Sequence, residues 1–336
     1  MKRKYILFLL IVIIIFILPS ILTKKKKNIF IVNAENNNQE ETSEVYPEYD
    51  YSKYSTINLF HSQSETIENI PIDEYLYGVV SSEMPASYEI EALKAQAIVA
   101  RTYTIYQIAN SNKHGENTIC DNYACCQAWM PKDERISKWN ESEADSNWKK
   151  ICNAVDSTKG KIITYENNPI DAFFHSNSGG ITETATDVWG GKNFPYLQVV
   201  ETSGEDGYNQ YSSEVILSKE ELLNKIKDKY PEVQIDFNNE NEIQILEYTQ
   251  SGRVKTIKFG NINMSGTETR SLLGLKSTKF TYKIDDNNIK FQVTGYGHGV
   301  GMSQTGADSM AKSGATAEDI IKHFYTNVEI KYVNEL

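Results

Sequence analysis

Glu83 is the first side chain whose setting suggests chemistry. In the stretch GVVSSEMPASYEIEALKAQAIVARTYT, Gly78 to Thr104, it precedes Pro85 by two residues, among Val79, Val80 and Met84, at the mouth of an alanine-rich segment. A lone Glu is most often a solvated helix-terminal acid. A carboxylate among apolar neighbours instead loses hydration, and its pKa rises toward the range a general acid needs.

Two polar, glycine-supported stretches could face such an acid. The run Ala172-Phe173-Phe174 ends in HSNSGG, His175 to Gly180, which gathers an imidazole, hydroxyls, an amide and two glycines. A ligand can approach such a backbone closely, and a sugar would use those donors and acceptors well. An ordinary polar turn is the alternative. The second stretch is GYGHGVGMSQTGA, Gly295 to Ala307, with His298, Ser303 and Gln304. It has neither the spacing and lysine of a phosphate loop nor the GxGxxG of a dinucleotide site, so no nucleotide cofactor is expected.

The segment KHGENTICDNYACCQAW places His114, Cys120, Cys125 and Cys126 within thirteen residues. Zinc takes Cys and His ligands, although this spacing matches no standard finger. We expect His114, Cys120 and Cys126 as three ligands, with a fourth position open to water or another side chain. Disulfides are the alternative, with Cys152 also available; the adjacent Cys125 and Cys126 would not readily bond to each other.

These residues need elements to position them. Pro71, Asp73 and Glu74 suit the first turn of a helix that should end near Met84, because Pro85 disfavours helix before it. A second helix is expected from a Ser87 cap, with almost no polar face through Ile90, Ala92, Leu93, Ala95, Ala97, Ile98, Val99 and Ala100, so it should be buried. Lys94 and Arg101, seven residues apart, share one stripe of it. Beyond Cys152 the sequence turns strand-like in KIITYE, AFFHSNSGG, VQIDF, EIQILEYT, RVKTIKFG and KFTYKI. Helices are expected over 218–229 and 317–324. The body is therefore α+β and two-lobed, with a second lobe inserted at about 205–290.

The N-terminus stands apart. MKRK, an apolar run from Tyr5 to Leu22 and Lys24 to Lys27 predict an uncleaved membrane anchor over residues 1–27; eighteen residues at helical rise reach roughly 27 Å, near the thickness of a bilayer's hydrocarbon. Val32-Asn33-Ala34 is a weak cleavage site by comparison. Residues 28–55 are polar, acidic and without period, as a tether would be. The chain carries a net charge of −11 although its basic residues crowd the N-terminus. A nucleic-acid partner is therefore not expected.

Taken together, LYGVVSSEMP, EALKAQAIVARTYT, FFHSNSGG, VWGG, SGRV, RSLLGLKST and GYGHGVGMSQTGA resemble the stage II sporulation protein D family, from about Thr56 to the C-terminus. The resemblance implies a membrane-anchored peptidoglycan lytic transglycosylase of septal wall remodelling and engulfment, with its body outside the cytoplasm and the stage II sporulation proteins P, an amidase, and M as partners. It implies that Glu83 is the catalytic acid and that Lys94, Arg101, His175, Ser176, His298 and Gln304 line a glycan cleft, with ion pairs that hold the site's geometry as the alternative role of Lys94 and Arg101. Lytic transglycosylation needs one acid rather than a glycosidase's carboxylate pair. Glu83 would protonate the oxygen between N-acetylmuramic acid and N-acetylglucosamine and then accept the C6 hydroxyl proton as a 1,6-anhydro ring closes. Ser176, Asn177 and Gln304 are candidate dipoles for the oxocarbenium-like state.

Three other functions compete: a two-carboxylate glycosidase with Asp187 as partner of Glu83, a non-catalytic glycan-binding enhancer of an amidase, and a zinc amidase built on the Cys/His cluster.

Overall fold

The computed structural model describes residues 46–111 and 113–336. The expected anchor at 1–27 and most of the expected tether at 28–55 lie outside the described residues. Among the described residues no helix is long and apolar enough to cross a membrane.

A helix–helix corner organises the first part of the body. Helix Ile72–Glu83 starts directly after Pro71 and carries Asp73 and Glu74 in its first turn, where carboxylates complement the free N–H groups. Met84 turns extended, with φ −125° and ψ 141°, because Pro85 excludes helical backbone before it. Helix Ile90–Asn110 follows. The expected Ser87 cap is corrected: Glu89 is the capping position, and its N–H donates to Asp308 Oδ1 at 2.7 Å. A carboxylate distant in sequence thus does what a local hydroxyl was expected to do.

Helix Ile90–Asn110 is buried around its circumference through Ala92, Leu93, Ala95, Ala97, Ile98, Val99 and Ala100. Small side chains let four helices, Ile72–Glu83, Glu141–Asp156, Gln304–Lys312 and Ala317–Phe324, pack against it together with strand Lys161–Tyr165. Its buried threonines satisfy themselves within the helix: Thr102 and Thr104 donate to Ile98 O and Ala100 O. Around this rod lie small sheets. Strands Thr56–His61 and Thr66–Pro71 form an antiparallel pair, and Thr118–Cys120 joins Thr56–His61 in parallel. Strand Phe174–His175 runs parallel to Met302–Ser303, with His175 opposite Ser303.

A separate hydrophobic cluster, including Leu222, Ile226, Ile257, Phe259, Phe291 and Val293, is built by a later part of the chain. Two antiparallel three-stranded sheets supply it. One orders Phe280–Ile284, Asn288–Thr294 and Ser212–Ser218; the other orders Ile262–Ser265, Val254–Phe259 and Ile243–Tyr248. Helix Lys219–Lys227 opens with a capping box between Ser218 and Glu221. The strand expected at VQIDF does not form. Its backbone instead crosses the end of a hairpin: the Gln234 N–H donates to Asn261 Oδ1 at 2.8 Å, so it has no neighbouring ladder to join.

Candidate functional site

Glu83 closes its helix at the corner, where the segment after the cysteines meets it. The Ala128 N–H donates to Glu83 Oε1 at 2.7 Å. That segment is fixed by Gln127, whose amide donates to the Tyr75 hydroxyl at 3.1 Å and to Thr104 Oγ1 at 2.9 Å. As a residue Glu83 keeps intermediate exposure, but its carboxyl group is closely surrounded by protein, and those surroundings set its titration. Burial pushes the carboxyl up from its ordinary value to about 7, against the Ala128 N–H and the Gln304 side chain, which favour the ionised form. Such an acid is substantially protonated near neutral pH and can both give and take a proton. The Gln304 contact is short of a well-formed hydrogen bond, since Nε2 is buried without an acceptor among the described residues.

The Cys/His segment assembles beside it. Strand Thr118–Cys120 delivers Cys120, and a turn in which the Cys125 and Cys126 N–H groups both donate to Asn122 O delivers the cysteine pair. His114 stacks on Phe60 with ring centroids 5.6 Å apart. The ligand atoms of His114, Cys120, Cys125 and Cys126 all lie within 4.8 Å of one another. No disulfide links any of the chain's four cysteines in this structure. The Cys125 and Cys126 sulfurs are 3.8 Å apart, which fits the roughly 3.7 Å edge of a zinc–thiolate tetrahedron. A hydrogen bond from Cys126 holds the Cys120 thiol down at about 5, and the same bond pushes Cys126 up. One sulfur is thus poised as the thiolate a metal takes. Only Gln127 separates Cys126 from Ala128, so the cluster and the acid share one short segment.

His175 and His298 form a second feature. The His175 Nδ1–H donates to Val300 O at 3.1 Å, which leaves Nε2 as a buried lone pair without a partner among the described residues. Burial, then the Arg253 charge, holds this imidazole neutral, with its pKa down at about 4. His298 Nδ1 accepts the Val300 N–H at 3.1 Å, and burial, then His175, keeps its pKa well below the ordinary value. The two rings lie 5.5 Å apart, and Trp189 lies 5.1 Å from His298. Trp189 is 51% exposed, an apolar plate on the solvent side of the histidines.

Several expected site residues sit elsewhere. Arg101 does not line a cleft: it is wholly buried and donates to the carbonyls of Thr158 at 2.9 Å, Lys161 at 3.2 Å and Val155 at 3.3 Å, with Asp73 at 3.7 Å. It ties the buried helix to the turn before strand Lys161–Tyr165. Lys94 pairs with Glu91 at 2.8 Å. Asn177 is committed to structure, donating to Thr305 Oγ1 at 2.8 Å and accepting the Gly179 N–H at 2.9 Å. The Ser176 carbonyl accepts the Thr305 N–H at 3.0 Å. Asp187 lies in the first turn of the short helix Ala185–Trp189, where Thr184 Oγ1 accepts its N–H at 3.1 Å. Ala128, Trp129 and Trp189 are not among the expected site residues, although Trp129 ends KHGENTICDNYACCQAW and Trp189 lies in VWGG.

A single buried carboxyl at a helix corner, raised to about 7 beside the Ala128 N–H and the Gln304 side chain, has the protonation behaviour that a general acid–base group needs. Residues 61–165 match the family model described as stage II sporulation protein. The chain is 36% identical to stage II sporulation protein D of Bacillus amyloliquefaciens over 293 residues, which is 86% of this chain and 82% of that protein. It is likewise 36% identical over 277 residues to stage II sporulation protein D of Bacillus subtilis (strain 168), covering 82% of this chain and 78% of that one. The amidase enhancer of Bacillus subtilis (strain 168) is 30% identical over 301 residues, covering 74% of this chain and 39% of the enhancer. The chain belongs to the stage II sporulation protein D family.

Proposed function

We propose that this sporulation protein is a lytic transglycosylase that cleaves the bond between N-acetylmuramic acid and N-acetylglucosamine in peptidoglycan glycan strands. The observation that carries this reading is Glu83: a carboxyl raised to about 7 by burial and aligned by the Ala128 N–H at 2.7 Å. Protonated, it donates to the glycosidic oxygen as that bond breaks. As a carboxylate it takes the proton of the C6 hydroxyl, whose oxygen closes the 1,6-anhydro ring on C1. The Ala128 N–H steadies the carboxylate between the steps. Gln304, with its free N–H, and His175, with its free Nε2, offer a donor and an acceptor to sugar hydroxyls, and Trp189 offers an apolar plate to a pyranose face. In support of one acid over two, the Asp187 carboxylate accepts the Thr184 hydroxyl at 3.0 Å in the first turn of its own helix.

Zinc held by His114, Cys120 and Cys126, with Cys125 or a water in the fourth position, would cross-link the segment that carries Ala128. Its service is then structural for the acid: it fixes the N–H that Glu83 accepts.

The reading places the catalytic body outside the cytoplasm, tethered by residues 1–27, with septal peptidoglycan as substrate and the stage II sporulation proteins P and M as partners. Digestion of purified peptidoglycan by the full chain, followed by mass spectrometry, tests it: 1,6-anhydro ends support it, and free reducing ends point to a two-carboxylate glycosidase. The kinship to an amidase enhancer favours one second reading, glycan binding that stimulates an amidase. Tight glycan binding without any product would support that reading instead. For the placement, protease added to wall-stripped cells with intact membranes should remove the body; full protection would contradict it.

A further inference from the structure

We infer that the strand-rich lobe is part of the site's positioning machinery: Arg253 and Lys279, both from that lobe, grip the backbone of the 175–181 turn by its carbonyls while Glu205 grips the same turn by its amides. The inference rests on the reading that this turn lines the glycan cleft.

Arg253 enters strand Val254–Phe259 from a tight turn and is 1% exposed. Its Nη2 donates to Ser178 O at 2.7 Å and Ile181 O at 3.2 Å. Lys279 Nζ donates to Gly179 O at 2.8 Å, and Gly180 O accepts the Thr202 N–H at 2.9 Å. All the carbonyls from Ser178 to Ile181 are thus occupied, three of them by two cations of the other lobe. Charge-assisted hydrogen bonds of this kind are stronger and more directional than neutral ones. The amides go to Glu205: Ser178 N–H at 3.0 Å and Gly180 N–H at 2.9 Å. The hydroxyls of Thr202, Thr305 and Ser303 complete its shell. Burial alone would raise the Glu205 carboxyl, but the donors of Ser178, Ser303, Thr202 and Gly180 outweigh it and hold it at about 2. It therefore stays ionised, opposite in sign to the cations across the turn.

The glycine loop is shaped around the same arginine. A Cβ on Gly299 would stand 2.5 Å from Nη2 and 2.7 Å from Cζ of Arg253, and the residue has φ +86°. A side chain there would both strain the backbone and displace the guanidinium. The Gly299 carbonyl accepts the Glu183 N–H at 2.8 Å, and the Glu183 carboxylate accepts the hydroxyls of Thr249 and Ser251, both at 2.5 Å, in the turn that leads to Arg253. One cation thus fixes the turn that ends the His175 strand and packs on the loop that bears His298. A turn held on both its carbonyl and amide sides has little freedom to rotate, which is the condition for presenting His175 Nε2 to a substrate in one direction. Arg253 and Lys279 are positioning residues; neither need touch substrate.

The charges acting on His175 are Arg253, Glu205 and Arg270, with His298 against its ring. Removing the guanidinium should therefore be visible at the imidazole. The test uses the full chain in detergent, with Arg253→Met, Arg253→Lys and Lys279→Met. In Arg253→Met the His175 titration, followed by ¹⁵N resonances of the ring, should move up toward its ordinary value. Hydrogen exchange of the 178–181 amides should speed up by about tenfold or more. Glycan cleavage should lose about tenfold or more in kcat with KM within about threefold, because orientation is lost and affinity is not. Arg253→Lys should recover part of each. Lys279→Met, at a half-buried site, should reproduce the exchange effect at Gly179 and Gly180, and it decides the matter if Arg253→Met does not fold. Wild-type exchange and an unmoved His175 titration in folded Arg253→Met, or wild-type exchange in Lys279→Met, would overturn the inference. If the wild-type chain releases no product from glycan, the transglycosylase reading fails by itself, and the titration and exchange results still decide this one.

Discussion

Gly78 and Trp129 are a fitted pair: a Cβ on Gly78 would lie 2.3 Å from Trp129 Nε1 and 2.8 Å from Met130 O. The indole lies on the corner helix only because residue 78 has no side chain, and Trp129 is the neighbour of Ala128, whose N–H holds Glu83. Gly78→Ala should push this segment off the helix. Overpacking of this kind typically costs about 1–3 kcal/mol. Loss of the Ala128 hydrogen bond, which favours the carboxylate, should move the Glu83 titration further up. A Gly78→Ala chain whose cleavage rate, pH profile and melting temperature all match wild type would break the link.

Glu83→Gln should leave the fold intact and abolish glycan cleavage, because one residue supplies both proton steps. General acid–base catalysis contributes typically ~10² to 10⁴-fold, and here two steps depend on the same group. Rates on purified glycan, with circular dichroism as the folding control, check it; wild-type-like turnover would remove Glu83 from the mechanism.

The same carboxyl sets a pH dependence with a definite sign. Its folded pKa, about 7, is raised above its ordinary 4.5. The stability this contributes is full below the unfolded pKa and is lost as pH rises through the folded one. Glu83→Gln lacks the buried charge, so its melting temperature should exceed that of wild type increasingly between pH 5 and pH 8. The difference in stability should reach a few kcal/mol at most, since a tenfold change in proton affinity on folding is worth roughly 1.4 kcal/mol. Wild-type cleavage should decline above about pH 7, as the acid form is lost. Parallel melting curves for the two chains across that range would contradict the assignment of burial as the cause.

The purified full chain should carry about one zinc, bound through His114, Cys120 and Cys126. Chelation should speed amide exchange in the 113–130 segment and lower stability, since metal binding is coupled to folding there. Cys126→Ser should halve the metal content or worse. Metal analysis and thiol counting on one sample check this; no zinc, with Cys120 oxidised to Cys125 or Cys126, would overturn it.

Arg101→Met should unfold the body rather than weaken glycan binding. The guanidinium is wholly buried and serves three carbonyls beside Asp73. Removing one member of a buried charged set typically costs roughly 3–5 kcal/mol. Denaturant unfolding measures the loss. A stable Arg101→Met chain with impaired glycan affinity would return this residue to the cleft.

Local chemistry made much of this protein legible in its sequence. Pro71 and Pro85 bound the corner helix because proline restricts backbone at itself and at its predecessor, wherever the chain goes. The small, apolar sequence of residues 90–100 marked a buried helix because no solvent-facing stripe could be drawn on it. Glu83 stood out because its apolar neighbours are adjacent in sequence, and so are most of the Cys/His donors. What the tertiary structure decided are partnerships between distant segments. Asp308 replaced Ser87 at the helix start. Arg101 turned from a helix-stripe cation into a core cross-link, because the carbonyls that claim it lie more than fifty residues on. The acid's own alignment comes from Ala128, which sequence leaves anonymous since the group that matters is a backbone N–H. Helical and proline signals act over a few residues and can be read in order. Hydrogen-bond donors and charges satisfy whatever the folded chain brings within about 3 Å, and that proximity exists only after folding.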